Sequence, residues 1–231
     1  MSRIGIITGM RAEEHCLAAA LDAIPEQYQP LTYCAGASAE RAYEGARELV
    51  AEGAVALLSI GIAGGLDAAL RPGDVVLPDT IIGAPAGPRL ASAIWHAAVM
   101  QDVPKAAIGI LFAGRQPLCT VAEKAALRAA SGALAIDMES GAVAEAAAEA
   151  SLPFLALRII ADPADRAIPP AALHGIAPDG NQRPFAVMRQ LLTRPGDIRS
   201  LIRLARDSEA ALRQLRRVAS LGRALFTPPP V

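Results

Sequence analysis

The sequence has few cysteines and histidines, and this scarcity excludes several classes of protein. It contains three cysteines, an odd number without close spacing, and three histidines that form no metal-ligand pattern. Neither a disulfide framework nor a zinc cluster is therefore expected. A reducing cytoplasm is the expected location, and no metal or organic cofactor is expected.

Aromatic residues are also scarce, at 3% of 231 residues, so stacking platforms for single-stranded nucleic acid are not expected. No apolar run approaches the ~18 consecutive residues of a membrane span. The first residues lack a secretory pattern, because their short apolar run leads directly into Glu13 and Glu14. With 53% hydrophobic residues, the chain instead predicts a single globular domain over residues 1–231.

Short apolar segments alternate with alanine-rich segments of helical character. Strands are predicted at 3–8, 31–34, 55–60, 73–77, 106–112, 134–138 and 154–160, and helices at 12–21, 38–52, 90–100, 121–130, 140–150, 185–192 and 198–225. Alternation of this kind, with nearly continuous apolar strands, predicts an α/β fold. We expect a three-layer α-β-α arrangement around a central mixed, largely parallel sheet.

The C-terminal part departs from this alternation. Residues 161–184 are rich in proline, aspartate and glycine, which predicts a long lid loop. Residues 185–226 predict a basic helical extension, since residues 181–231 hold ten arginines against three acidic residues. Two interpretations stay open: the apolar stripe of the extension packs on the core with its arginines solvated, or the arginines meet an anionic membrane surface. No nucleic-acid partner is expected.

Two apolar segments each end in an acidic residue, which is the most informative feature of the chain. Glu139 follows the strand at 134–138, and Asp162 follows the strand at 154–160. Acids at the ends of neighbouring strands face the crevice where α/β sheets bind ligands. Arg158 lies inside an apolar strand and needs a partner, for which Asp162, four residues on, is the candidate.

Glu13 and the glycines at 61–65 are weaker signals when taken singly. Glu13 begins a predicted helix, where an acid is commonly stabilised by the helix dipole. The segment Gly61–Gly65 predicts a loop that exposes backbone amides to a ligand, although a simple tight turn gives the same pattern. Its spacing is neither that of a dinucleotide fingerprint nor that of a P-loop.

Taken together, these motifs resemble the nucleoside phosphorylase/nucleosidase superfamily. The resemblance rests on Ile4–Glu13, Gly61–Leu66 with the following 72–76, Asp137–Ser140 and Arg158–Asp162, in that order and spacing. A further resemblance is to the hopanoid-associated phosphorylase subfamily. It rests on residues 162–166, 168–172 and 178–180 and on the basic C-terminal helices. That resemblance implies a phosphorylase/hydrolase-like fold, a homodimer, and removal of adenine from adenosylhopane.

The resemblance also implies roles for individual residues. Asp162 is the expected general acid toward the base, and Glu13 orients or deprotonates the attacking water. Glu139 accepts hydrogen bonds from the ribose hydroxyls, with Met138 against the sugar face. Further substrate-binding positions are Gly64, Gly65 and Arg158.

Two questions stay open at this stage. Water and phosphate are both candidate nucleophiles, with phosphate as co-substrate if the chain is a phosphorylase, because Arg11 and Arg115 leave phosphate binding open. The segment between Pro78 and Trp95 is short and lacks aromatic residues before Trp95, which favours a nucleoside with a bulky 5′ group over a small thioether such as methylthioadenosine. A methylthioadenosine or adenosylhomocysteine nucleosidase, and a non-catalytic purine-binding module, are the alternatives.

Overall fold

The computed structural model describes residues 2–84, 87–169, 172, 180–181 and 195–229. In these residues the strands are β1 (Arg3–Thr8), β2 (Leu31–Cys34), β3 (Ala54–Gly65), β4 (Val75–Val76), β5 (Thr80–Ile82), β6 (Arg89–Leu90), β7 (Ile110–Ala113), β8 (Ala135–Asp137) and β9 (Phe154–Asp162). The α-helices are α1 (Arg11–Asp22), α2 (Ala39–Ala51), α3 (Ala93–Asp102), α4 (Val121–Ser131), α5 (Ser140–Glu149) and α6 (Ile198–Leu221).

The strands form one mixed sheet in which parallel pairing prevails. β1 pairs in parallel with β2 and β3, β3 pairs in parallel with β9, and β7 pairs in parallel with β5 and β8. Antiparallel pairs join β3 to β8, β4 to β9 and β5 to β6. The predicted mixed, largely parallel sheet is confirmed.

Helices cover both faces of the sheet, which gives the predicted three layers. On one face, Leu17 of α1, Trp95 of α3 and Leu215 of α6 pack into one apolar cluster with the strands. On the other face, Ala46 of α2 and Val143 of α5 belong to a second cluster. Because the central strands are buried on both faces, their sequences are continuously apolar.

The glycine segment at 61–65 is not the loop that the sequence predicts. Strand β3 continues through Gly65, because this stretch pairs with β9 up to Gly64 and with β8 at its end. Glycine is depleted in strands, so the sequence pattern predicted a break after Ile60. In this strand the glycines allow side chains of other elements to approach the backbone closely.

Several shorter predictions also need correction. The strands predicted at 73–77 and 106–112 are reduced to Val75–Val76 and Ile110–Ala113, and β5 and β6 were not predicted. Elements of two or three residues carry too little periodicity to be recognised. The predicted lid also begins later, since β9 extends through Asp162.

Helix α6 packs its apolar stripe against the rest of the fold and leaves its arginines in solvent. Leu215 and Val218 are buried, and Cys16 of α1 donates a hydrogen bond through its thiol to the carbonyl of Leu212. The helix ends at Leu221 and a 3₁₀ turn follows, instead of continuing to Leu225. Its exposed arginines are Arg199, Arg203, Arg206, Arg213, Arg216 and Arg217.

Some predictions fall on parts of the chain outside the described residues. These are the helix at 185–192 and most of the lid beyond 169. Among the helices that are described, none is long and apolar enough to cross a membrane.

Candidate active site

The ends of β1, β3, β8 and β9 surround a cavity of about 170 Å³. Several residues singled out from the sequence line it: Glu13, Gly64, Met138, Glu139 and Asp162. The structure therefore brings four separate sequence motifs to one place. Gly65 and Arg158 do not line the cavity.

Glu13 is held by backbone donors from two segments. Its Oε2 accepts hydrogen bonds from the N–H groups of Gly9 at 2.8 Å and Met10 at 2.9 Å, and its Oε1 accepts one from Ile62 at 2.8 Å. The side chain is 2% exposed. Burial raises the pKa of Glu13 above its ordinary value, and the three amides and Arg158 oppose that rise.

A buried ion pair joins β8 to β9 at the cavity wall, which Asp137 lines and Arg158 does not. Arg158 donates from Nε to Asp137 Oδ2 at 2.7 Å and from its terminal guanidinium to Ser59 Oγ at 2.6 Å. Asp137 Oδ2 also accepts from the backbone N–H of Ser140 at 3.0 Å, so Asp137 caps helix α5. Two charges buried together are stable only because each is hydrogen-bonded.

This ion pair corrects one sequence prediction. Arg158 pairs with Asp137 and not with Asp162, because residues four apart on an extended strand are separated by roughly 13 Å. The Arg158 guanidinium also lies 3.7 Å from Oε2 of Glu139. Arg158 therefore contacts Glu139 electrostatically and does not line the cavity.

Glu139 is the carboxylate most affected by its surroundings. It is 7% exposed and has no side-chain capping hydrogen bond, although it precedes helix α5. Burial, followed by the nearby charge of Asp137, raises its pKa from 4.5 to about 8, while Arg158 opposes the rise. A carboxyl group that is buried and incompletely paired suits a site where a ligand completes its hydrogen bonds.

Asp162 is held at the opposite side of the cavity by a lysine. Lys124, on helix α4, donates from Nζ to Asp162 Oδ2 at 2.5 Å. Burial is the largest influence on Asp162 and raises its pKa above its ordinary value, although the Lys124 charge opposes this. Lys124 is fully buried and lines the cavity.

The sequence did not single out Lys124 or the pairing role of Asp137. Lys124 lies in an alanine-rich helix, where a lysine is ordinarily a solvated residue, so no local pattern marked it. Asp137 does carry a usable signal, because it is an acid at the end of the apolar strand β8, two residues before Glu139. An acid and an arginine in two buried strands predict each other as partners.

Glycines of β3 and of the turn after β1 bring the backbone close to these carboxylates. A Cβ atom added at Gly61 would lie 2.5 Å from Glu13 Oε1, and one added at Gly9 would lie 2.8 Å from Glu139 Oε1. At Gly64 the distance to Asp162 Oδ1 would be 3.2 Å. Gly65 instead faces Ile160 and Pro163, which explains why it does not line the cavity.

The rest of the cavity wall is apolar. Its apolar lining residues include Met10, Ile62, Leu118, Met138 and Ile168, and its polar exceptions are Gln116 and Asp137. The residues after β9 fold back over the site, where the N–H of Ile168 donates to the carbonyl of Cys119 at 2.9 Å. Within the described part of the chain, no group of three or more histidine, cysteine or acidic side chains is arranged to hold a metal ion.

Comparison with known proteins identifies relatives of this arrangement. The model of the phosphorylase superfamily matches residues 39–193. No curated protein sequence matches the chain.

Solved structures share the fold over most of the chain. The 5′-methylthioadenosine/S-adenosylhomocysteine nucleosidase of Helicobacter pylori superposes with a TM-score of 0.68 at 16% identity, covering 94% of this chain and 97% of that one. The corresponding nucleosidase of Colwellia psychrerythraea, in complex with adenine, gives 0.68 at 18%, covering 98% and 97%. Futalosine hydrolase of H. pylori gives 0.62 at 18%, covering 70% and 88%.

Proposed function

The chain belongs to the phosphorylase superfamily, and from its cavity we propose that it hydrolyses the N-glycosidic bond of a purine nucleoside and releases adenine. The observation that carries this proposal is the placement of three carboxyl groups around one small and mostly apolar cavity: those of Glu13 and Glu139, which are buried, and that of Asp162, which is partly buried. Such a cluster is costly for folding. A cluster of this kind is expected where a reaction uses the carboxyl groups.

The chemistry requires groups of different kind at the two ends of the substrate. As the bond between C1′ and the base nitrogen breaks, its electron pair goes to the base and positive charge develops on the sugar. Asp162, whose pKa is raised by burial, passes a proton to N7 of the base. Glu139 accepts hydrogen bonds from the ribose hydroxyls, and Met138 packs against the sugar.

Water is the nucleophile that this cavity favours. Glu13 takes a proton from the water as its oxygen bonds to C1′, and the products are free adenine and a ribose derivative. A phosphate dianion would meet the negative charge of Glu13. Among the described residues that line the cavity, Lys124 is the basic one, and its ammonium group is already engaged by Asp162.

Phosphorolysis is the second candidate, and the family to which the chain belongs favours it. Neither Arg11 nor Arg115 lines the cavity, and Arg11 contacts Glu14 at 2.7 Å. The deciding experiment incubates the protein with adenosine-type nucleosides, with and without phosphate, and measures free adenine. We expect adenine at equal rates in both. Release that depends on phosphate would establish phosphorolysis, and no release would contradict both reactions.

For the 5′ substituent, we propose a bulky apolar group, as in adenosylhopane. Support comes from the sequence motifs shared with the hopanoid-associated subfamily and from an apolar cavity wall without aromatic side chains among its described residues. Methylthioadenosine is the competing substrate, since several solved structures with this fold are methylthioadenosine nucleosidases. Comparing kcat/KM for methylthioadenosine and for adenosine with a long 5′ alkyl chain separates the two. A preference of tenfold or more for methylthioadenosine would contradict the proposal.

A lipid-like substrate requires access to a membrane, and we propose that α6 supplies it. Its arginines are exposed, whereas Leu215 and Val218 of its apolar stripe are buried, so binding would be mainly electrostatic, at about 1 kcal/mol per arginine near the surface. Sedimentation with anionic vesicles should show binding at low salt that is lost at high salt. Replacing Arg199, Arg206 and Arg217 with glutamine should weaken it. Failure of the unaltered protein to bind at either salt would contradict this role.

The homodimer implied by the family resemblance is also a proposal. Relatives are expected to complete their pockets across subunits, so the active form would contain two copies. Light scattering should report a dimer, and a monomer at micromolar concentration would contradict the proposal.

A further inference from the structure

Lysine is rare in this chain, and one of its two lysines is completely buried. The sequence contains Lys105 and Lys124 against 20 arginines. Lys105 is exposed, whereas Lys124 has no exposed surface. Burying an ammonium group is unfavourable unless its charge and its donors are satisfied. The partners of Lys124 therefore indicate why a lysine stands there.

The ammonium group of Lys124 joins Asp162 to the segment that follows it. Besides Asp162 Oδ2, at 2.5 Å, Nζ donates to the carbonyl oxygens of Pro163 at 2.9 Å and Arg166 at 3.0 Å. These three nearest acceptors match the three hydrogens of an ammonium group, and the backbone carbonyl of Asp162 lies farther away, at 3.5 Å. One side chain thus holds the carboxyl group of Asp162 and the first residues of the predicted lid at a common point.

This pairing distinguishes the two oxygens of Asp162. Oδ2 accepts the hydrogen bond from the Lys124 ammonium group, whereas Oδ1 does not. Asp162 itself lines the cavity. An oxygen that accepts from an ammonium group is a poor site for a proton. A proton on Asp162 is therefore directed to Oδ1, the oxygen that does not accept from Lys124.

We propose that Lys124 is a positioning residue, which fixes Asp162 so that Oδ1 alone delivers the proton to the base and ties the lid to that arrangement. The inference rests on the proposed nucleosidase activity. A positive charge beside Asp162 also keeps its pKa from rising further. Other charged or titratable groups that influence it or lie near it are Arg203 and Asp207 of α6, Cys119 before α4, and Asp165 and Arg166 of the segment after β9.

Lysine suits this position better than arginine would. The three acceptors surround a single nitrogen, which matches a compact ammonium group and not the planar fork of a guanidinium. A methionine at 124 has similar length but neither charge nor donors. The variants Lys124→Met and Lys124→Arg therefore separate packing, charge and geometry, and Lys105→Met serves as the matched control at an exposed site.

The experiment measures adenine release from adenosine-type nucleosides across pH, with kcat and KM determined separately. For Lys124→Met we expect kcat to fall about 10–100-fold. The alkaline limb of kcat/KM should move upward by roughly 1 pH unit or more, since an adjacent cation lowers the pKa of a carboxyl group. Lys124→Arg should restore the position of that limb with part of the rate, and Lys105→Met should change nothing.

The following outcomes would overturn the inference. If Lys124→Met raises KM or lowers the melting temperature while the alkaline limb stays in place, Lys124 is structural and the nucleosidase proposal stands. If the unaltered protein releases no base from any purine nucleoside, with or without phosphate, the proposed function fails and this role fails with it. Carboxyl NMR titration of Asp162 supplies a readout without turnover: an unchanged pKa in Lys124→Met also overturns the inference.

Discussion

The two sides of the cavity hold their carboxyl groups by different means. Glu13 accepts hydrogen bonds from three backbone N–H groups, of Gly9, Met10 and Ile62, which are fixed by β1, α1 and β3. Asp162 is held by one side chain, Lys124, which also binds the segment after β9. The first arrangement is part of the sheet, and the second depends on contacts between a helix and a loop.

This difference has a physical consequence for each group. Backbone amides are dipoles without net charge, and they stabilise a carboxylate without a partner that can move away. A lysine side chain contributes a full charge, and its position depends on several rotatable bonds. We therefore expect the Glu13 side to be rigid, and the Asp162 side to respond to the lid and to pH.

The largest expected effect is a loss of activity when the carboxyl group of Asp162 is removed. Asp162→Asn should lower kcat by roughly 10²–10⁴-fold, the usual contribution of general acid catalysis. KM should change little, because Glu139 and Met138 remain to bind the ribose. Steady-state kinetics with adenosine-type nucleosides provides the test. A variant with nearly full kcat would show that Asp162 does not donate the proton.

Glu13→Gln tests the side of the cavity on which backbone N–H groups hold the carboxyl group. Hydrolysis should fall by about 10²-fold or more if Glu13 activates water. Stability should fall as well, because the new amide NH₂ faces backbone donors of Gly9, Met10 or Ile62, and an unsatisfied buried donor costs about 1–3 kcal/mol. Adenine release and thermal unfolding are measured together. Phosphate-dependent release that survives the change would instead favour phosphorolysis.

A pair of glycine substitutions compares the rigidity of the two sides directly. In Gly61→Ala the added Cβ would lie 2.5 Å from Glu13 Oε1, and the anchored carboxylate has little room to move. Overpacking of this kind costs about 1–3 kcal/mol. In Gly64→Ala the contact with Asp162 is 3.2 Å, which a small shift relieves.

Melting temperatures of the two variants give the outcome. Gly61→Ala should be clearly destabilised, and Gly64→Ala should lose activity, about tenfold, with little loss of stability. Gly196→Ala is the control, since nothing lies within 4 Å of its added Cβ. Equal destabilisation at both positions would show that the two sides are equally rigid.

The sequence predicted the sheet and most helices, because buried parallel strands and alanine-rich helices have distinct compositions. It also predicted that Glu139 and Asp162 share one site, since acids at strand ends in such a fold converge, whereas Glu13 was assigned to that site through the family resemblance. It failed for the glycines of β3, whose strand is fixed by pairing and not by propensity. It also failed for Lys124, because burial of a helical lysine depends on which element packs over it.

The smallest expected effect concerns stability as a function of pH. Glu139 has a pKa of about 8 in the folded protein, against an ordinary value of 4.5. Between these two values the folded state binds more protons than the unfolded state, so the free energy of unfolding should fall as pH rises through this window.

We expect this fall to extend from pH 5 to pH 8 and to appear as a lower Tm at pH 8 than at pH 5. Glu139→Gln should flatten this dependence, because the amide does not titrate and stays neutral beside Asp137. Thermal unfolding at several pH values compares the two proteins. If both give the same slope, the charge of Glu139 is compensated by Arg158, 3.7 Å away, over the whole range. Glu139 would then be held as firmly as Glu13, and the carboxyl group that responds to pH would be that of Asp162.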